Sequence, residues 1–178
     1  MQDPRLLPQI KALVPIYPVA DYSNKYAGDY RDRPADSTGR GAKKDILRSM
    51  SDSFRWAYVP YHQDRTDPRL SVIYANRSSL PKSIFFITAQ YDKLCHEACQ
   101  MAKMLAGDTG LREDEAWDRN GIKWERVSGA MHGFVEQDWK RGSEDKSNPW
   151  PEQIEGLLTR VSVWLEAVFS ERGTPGHG

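Results

Sequence analysis

Apolar positions concentrate in three short runs. The first, Ile84-Phe85-Phe86-Ile87-Thr88-Ala89, ends on Gln90-Tyr91-Asp92 and is entered through Leu80-Pro81-Lys82. A brief unbroken apolar run bounded by turn formers is the pattern of a strand buried on both faces. The second, residues 10–19, carries Ala12, Leu13, Val14, Ile16, Tyr17 and Val19 and predicts another central strand. Pro15 interrupts it, and because proline cannot donate to a ladder it predicts a bulge or a sheet edge at that point. The third, Ile122-Lys123-Trp124-Glu125-Arg126-Val127, leads after a short loop into Met131-His132-Gly133-Phe134.

Helical spacing fills the intervals. Ile46, Met50, Phe54 and Ala57 predict a helix over residues 44–58, with Asp45 in its first turn. Ala98, Met101, Ala102 and Leu105 share one face of a predicted helix over 96–106, stopped by Gly107 and Gly110. That helix is the crossover needed between two parallel strands. The longest helix opens at Asn148-Pro149-Trp150-Pro151, and its stripe of Ile154, Leu157, Leu158, Val161, Trp164, Leu165 and Val168 is expected to cover a sheet face. Residues 22–69 are otherwise polar and irregular. Glu113, Asp114, Glu115 and Asp118 lie in a stretch, 108–120, that reads as a solvated loop, since no glycine-turned calcium loop surrounds them.

Alternating strands and helices give an α/β class with about three mostly parallel strands. In such a sheet, side chains just past the carboxyl ends of strands line the ligand crevice, which singles out Asp92 and His132. Taken alone, an Asp after a strand is equally a turn or cap residue, and a His-Gly pair is equally a turn. His62, His96 and His177 lack comparable context and read as surface residues. Trp56, Tyr58 and Tyr61 either line a pocket or pack the preceding helix onto the sheet, and packing is the expected role.

The 178 residues suffice for one domain. A hydrophobic fraction of 39%, a charged fraction of 28% and a mean hydropathy of −0.71 leave a thin core for a parallel sheet. With 25 basic and 25 acidic residues, no field favours nucleic acid or an anionic membrane. No apolar run has the length of a transmembrane helix and the start lacks a signal-peptide pattern, so a soluble, cytoplasmic chain is expected. Cys95 and Cys99 sit four apart on a helix, a spacing that disfavours a disulfide. A metal site would need more ligands than this pair and His96 supply, so free thiols are expected, with no cofactor and no metal.

Leu80-Pro81 leading into Ile84 to Leu94, then His132-Gly133-Phe134, and Tyr17-Pro18-Val19-Ala20-Asp21 at an earlier strand end, resemble the C-terminal half of an α/β-hydrolase. The nearest group is the fold-3 family, the hormone-sensitive-lipase-like carboxylesterases. The similarity spans most of residues 10–169. It implies one partial domain over 1–178, with residues 10–21 as a strand, 22–69 as a cap-like segment and 80–172 as the last two strands and their helices. It also implies a serine carboxylesterase acting on a small-molecule ester, with Asp92 as the acid and His132 as the base.

No G-x-S-x-G elbow and no H-G-G loop occurs in the sequence. Because the triad of this fold runs Ser, then Asp or Glu, then His, the resemblance places the missing serine upstream, before Met1. Two functions follow: an ester hydrolase represented without its nucleophile half, of which a peptidase or arylformamidase is a variant, or a non-catalytic remnant that binds a partner. In either case the first strand is expected to expose an edge that invites self-association.

Overall fold

The computed structural model describes residues 10–27, 46–136 and 150–170. Contacts divide the chain into two units, Met1–His132 and Gly133–Gly178. The first holds β1 (Ala12–Leu13), α1 (Ile46–Tyr58), two short 3-10 turns (Val72–Tyr74 and Arg77–Ser79), β2 (Ser83–Ala89), α2 (Cys95–Ala106), β3 (Trp117–Arg119) and β4 (Ile122–Val127). The second holds α3 (Trp150–Ser170), the helix that the apolar stripe predicts.

The four strands form one sheet in the order β1-β2-β4-β3. β1, β2 and β4 run parallel, and β2 is buried along almost its whole length. β1 and β4 flank it in the sheet, and α2 packs on β2 and β4, covering one face. Ala98, Cys99 and Ala102 on α2 are fully buried, and their small side chains let the helix approach the sheet closely. Ile84, Phe86, Ile122 and Trp124 complete that core. Gly107, at φ +68°, ends α2 in the left-handed conformation, and the next amide, of Asp108, donates to the Lys103 carbonyl.

The run 10–19 does not form a continuous strand. β1 stops at Leu13, and an isolated parallel bridge resumes at Ile16 opposite Ile87. The register is the same on both sides of the gap, Leu13 facing Ile84 and Ile16 facing Ile87, so no residue is inserted and Pro15 makes no bulge. In this register the nitrogen due to donate to the Phe85 carbonyl is that of Pro15, which carries no hydrogen. The other expectation for Pro15 holds, since β1 is an edge of the described sheet.

The stretch 108–120 is not merely a solvated loop. It contains a fourth strand, β3, which pairs antiparallel with β4 through a two-residue turn, Asn120-Gly121. Both turn residues have positive φ, 52° and 78°, as a type I′ hairpin requires. Trp117 stacks on the buried Trp124 across the hairpin, with ring centroids 6.2 Å apart. Asn120 Nδ2 donates to the Ala106 carbonyl at 2.7 Å, tying the turn to the end of α2. A Cβ at Gly121 would lie 2.6 Å from the backbone oxygen of Lys82. Gly121→Ala is therefore expected to cost about 2 kcal/mol of stability. Urea unfolding checks this, with a lower midpoint at unchanged slope as the expected result. An unmoved midpoint would show that the turn has room to shift.

Among the described residues of the cap-like segment, α1 matches the predicted helix; Asp45, and with it the rest of residues 28–45, lies outside them. Packing onto the sheet is not the role of its aromatic residues: Trp56 is 86% exposed, and Tyr58 and Tyr61 are exposed as well.

Candidate active site

Asp92 sits in the turn between β2 and α2, where its amide donates to the Ala89 carbonyl and its own carbonyl accepts from Cys95. Its side chain is fully buried and divides its work. Oδ1 accepts the Leu94 amide at 2.8 Å, which is the turn-forming role open to any Asp at such a place. Oδ2 lies 3.0 Å from His132 Nδ1. The two predicted residues therefore meet, 40 positions apart in sequence, with the local and the long-range role each taking one oxygen.

Loop-to-loop bonds hold them there. After β2 and β4, the Gln90 amide donates to the Val127 carbonyl and the Tyr91 amide to the Ala130 carbonyl. The Gln90 side chain returns the tie, its Oε1 accepting the Gly129 amide at 2.7 Å. The loop that delivers His132 is thus bonded to the loop that delivers Asp92. His132 itself is 24% exposed at its side chain, against none for Asp92, so the pair is buried on the acid side and reachable on the base side. With Nδ1 donating to the carboxylate, Nε2 carries the lone pair.

Three neighbours were not singled out from the sequence. Gln90 is one. Tyr17 is another, with its ring edge to face with that of His132 at a centroid distance of 4.7 Å. Glu97, on the first turn of α2, is buried and its Oε1 accepts the amides of Ala20 and Asp21 at 2.8 and 3.1 Å. Burial pushes its carboxyl up to about 7, and the nearby Asp21 and Asp92 carboxylates add to the rise against the two amide bonds. No pattern in the sequence marks Glu97 as buried, because a Glu in a first helical turn is ordinarily a solvated one.

A cavity of about 290 Å³ adjoins this turn, with Asp21, Tyr22, Phe54, Tyr58, Leu94 and Glu97 among its lining. Tyr58 thus lines a pocket together with Leu94 of this turn. Asp21, at the end of the Tyr17-to-Asp21 block, is spent on its own turn, accepting from the amides of Ser23 and Tyr26.

The remaining candidates fall elsewhere. Cys95 and Cys99 are buried free thiols, and burial pushes the Cys99 thiol up to about 12. His96 is not a plain surface residue, since its Nδ1 pairs with Glu113 at 3.1 Å. The same Glu113 accepts from Cys95 Sγ and lies 3.7 Å from Arg126, so this acid of the 108–120 stretch anchors the loop to α2 and β4. Among the described residues no group of three or more His, Cys, Asp or Glu is placed to hold a metal ion. His62 is exposed, and His177 lies outside the described residues. No helix among the described residues is long and apolar enough to cross a membrane.

A family model described as the alpha/beta hydrolase fold matches residues 1–136. Among solved structures, the chain is similar to a hyperthermophilic esterase from the archaeon Pyrobaculum calidifontis, 26% identical with a TM-score of 0.53. That similarity covers 83% of this chain and 44% of the esterase. An ester-hydrolase from the metagenome of Lake Arreo, solved with a derivative of bipyridine phosphonate, is 27% identical with a TM-score of 0.51, over 75% of this chain and 38% of that one. A vibralactone cyclase shares the fold at 16% identity and a TM-score of 0.54, over 97% of this chain and 44% of that one. The chain therefore spans less than half the length of each of these structures. No curated protein matches it. By its sheet, its strand-end residues and the match over residues 1–136, the chain belongs to the alpha/beta hydrolase fold family, whose solved neighbours here include esterases.

Proposed function

We propose that this chain carries the acid and base of a serine carboxylesterase, Asp92 and His132, and that the nucleophile and the oxyanion donors belong to a part of the enzyme outside these 178 residues. The observation that carries the reading is the 3.0 Å contact between Asp92 Oδ2 and His132 Nδ1 at two adjacent strand ends. The esterases among the structural neighbours support an ester as the substrate.

The chemistry follows from the geometry. Held by Asp92 through Nδ1, His132 presents Nε2 to a serine hydroxyl, takes its proton as the oxygen attacks the ester carbonyl, and later returns that proton to the leaving alcohol. The buried carboxylate fixes the tautomer and stabilises the imidazolium formed midway. Without a nucleophile none of this proceeds. Losing the nucleophile of a triad costs on the order of 10⁶-fold in kcat, and losing an oxyanion donor about 10²-fold more.

The purified chain is therefore expected to leave p-nitrophenyl acetate at its rate in buffer and to take up no fluorophosphonate probe. Stoichiometric labelling would sink the claim that the nucleophile lies elsewhere. The companion test is to read the coding sequence upstream of Met1 and to assay the full translated product. An elbow serine there, with esterase activity that His132→Ala abolishes, is the expected result. A full product without such a serine and without activity would favour the non-catalytic reading, which the lack of G-x-S-x-G in this sequence keeps in play.

A further inference from the structure

We infer that Tyr17 is a positioning residue for His132, holding the plane of the imidazole whose Nδ1 meets Asp92. The inference rests on the pairing of Asp92 with His132 proposed above and adds a third group to it, from the segment that follows the bridge at Ile16.

Three observations converge on Tyr17. First, its ring meets the His132 ring at a centroid distance of 4.7 Å and an angle of 60°, an edge-to-face arrangement. The hydrogen bond at Nδ1 fixes one atom of the imidazole, and an aromatic wall beside the ring bears on its plane. Nε2, the atom with the lone pair, then points in one direction. Second, Tyr17 has φ +37°, in the region that favours glycine, yet a bulky aromatic stands there. A non-glycine residue persists in such a conformation only where its surroundings over-determine it, and such residues gather at active sites.

Third, the surroundings of Tyr17 hold its backbone in place. The Tyr17 amide donates to the Ile87 carbonyl at 2.7 Å and the Ile87 amide to the Pro15 carbonyl at 3.0 Å, which fastens the backbone to β2. Three residues further on, Glu97 takes the amides of Ala20 and Asp21 and fastens the segment to α2. The wall is therefore bonded to the same strand and helix that flank Asp92. The role these contacts give Tyr17 is orientation.

The test reads the ring nitrogens of the ¹⁵N-labelled chain by long-range proton–nitrogen correlation, with the His132 signals assigned through H132Q. In the parent, one tautomer is expected, with widely separated Nδ1 and Nε2 shifts and an Nδ1–H signal protected from exchange. Tyr17→Phe should keep that pattern because the ring remains. Tyr17→Ala should lose the Nδ1–H signal and draw the two nitrogen shifts together, while the amide signals of β2 and β4 stay in place. Tyr17→Gly suits the backbone conformation, so it should fold even where the alanine variant does not, and should show the same loss.

A parent-like pattern in the alanine or glycine variant would overturn the proposal. So would a phenylalanine variant as disturbed as the alanine one, since the hydroxyl rather than the ring would then be at work. Asp92→Asn tests the pairing apart from Tyr17. If it too leaves the parent pattern untouched, the pairing of Asp92 with His132 itself fails. If it abolishes the pattern while Tyr17→Gly does not, only the role of Tyr17 falls.

Discussion

Asp92→Asn is expected to lower kcat on a p-nitrophenyl ester by about 10⁴-fold in the complete, serine-bearing enzyme while leaving the fold intact. The reason lies in the two oxygens. Asparagine has one acceptor and one donor where aspartate has two acceptors. The turn into α2 calls for an acceptor at Oδ1, which takes the Leu94 amide at 2.8 Å. The amide nitrogen must then face His132 Nδ1 in place of Oδ2. A donor there forces Nδ1 to become the acceptor and puts the ring proton on Nε2, the atom that should receive the serine proton. The base is thus present, in place and in the wrong tautomer. Stability should change little, since the turn bond survives, so the rate loss is separable from unfolding by measuring both on one preparation. A loss of less than about tenfold would mean that His132 does not depend on Asp92 for its proton.

The second large effect concerns pH and stability. Glu97 has its carboxyl pushed from 4.5 up to about 7, first by burial and then by the carboxylates of Asp21 and Asp92. In the unfolded chain it ionises near its ordinary value. Below that value both states hold the proton and the group contributes no pH dependence. Between the two values the folded chain keeps a proton that the unfolded chain has released, so stability falls as pH rises, by about 3 kcal/mol in all. Above about 7 both states are ionised and the loss is complete. Glu97→Gln keeps an amide oxygen for the Ala20 and Asp21 amides and removes the titration. Subtracting its unfolding free energy from that of the parent across pH 4 to 8 cancels the other groups. The difference should decline through that interval and then level off. Parallel curves would show that the buried carboxyl ionises as freely as in the unfolded chain.

Much of the fold was legible because the core elements are locally consistent. Residues 84–89 read as a doubly buried strand and are one, and the face of Ala98, Met101 and Ala102 with a stop at Gly107 gave α2 almost to its ends. Asp92 and His132 were legible for a different reason: an α/β sheet converts the order of elements along the chain into positions at one end of the sheet. Other features rest on less regular patterns. Asn120-Gly121 is a short-range hairpin signal for β3, set at the end of an acidic stretch whose composition is that of a solvated loop. Glu97 carries no sequence mark, since it owes its place to burial by a segment more than 70 positions away, and Tyr17, which opens the Tyr17-to-Asp21 strand-end block, is set apart within it only by a backbone angle.

Pro15 has a directional consequence. In a parallel ladder successive residues present their amide groups alternately to one neighbour and to the other. The Pro15 carbonyl and the Tyr17 amide both face β2, so the donor that proline lacks is subtracted from the inner seam. Val14 and Ile16 present theirs the other way. A proline that protects a sheet margin does so by turning its missing hydrogen outward. This one is turned inward and leaves the outward groups of Val14 and Ile16 untouched: weakened toward its own partner, the segment keeps donors and acceptors on its outer margin as far as Ile16.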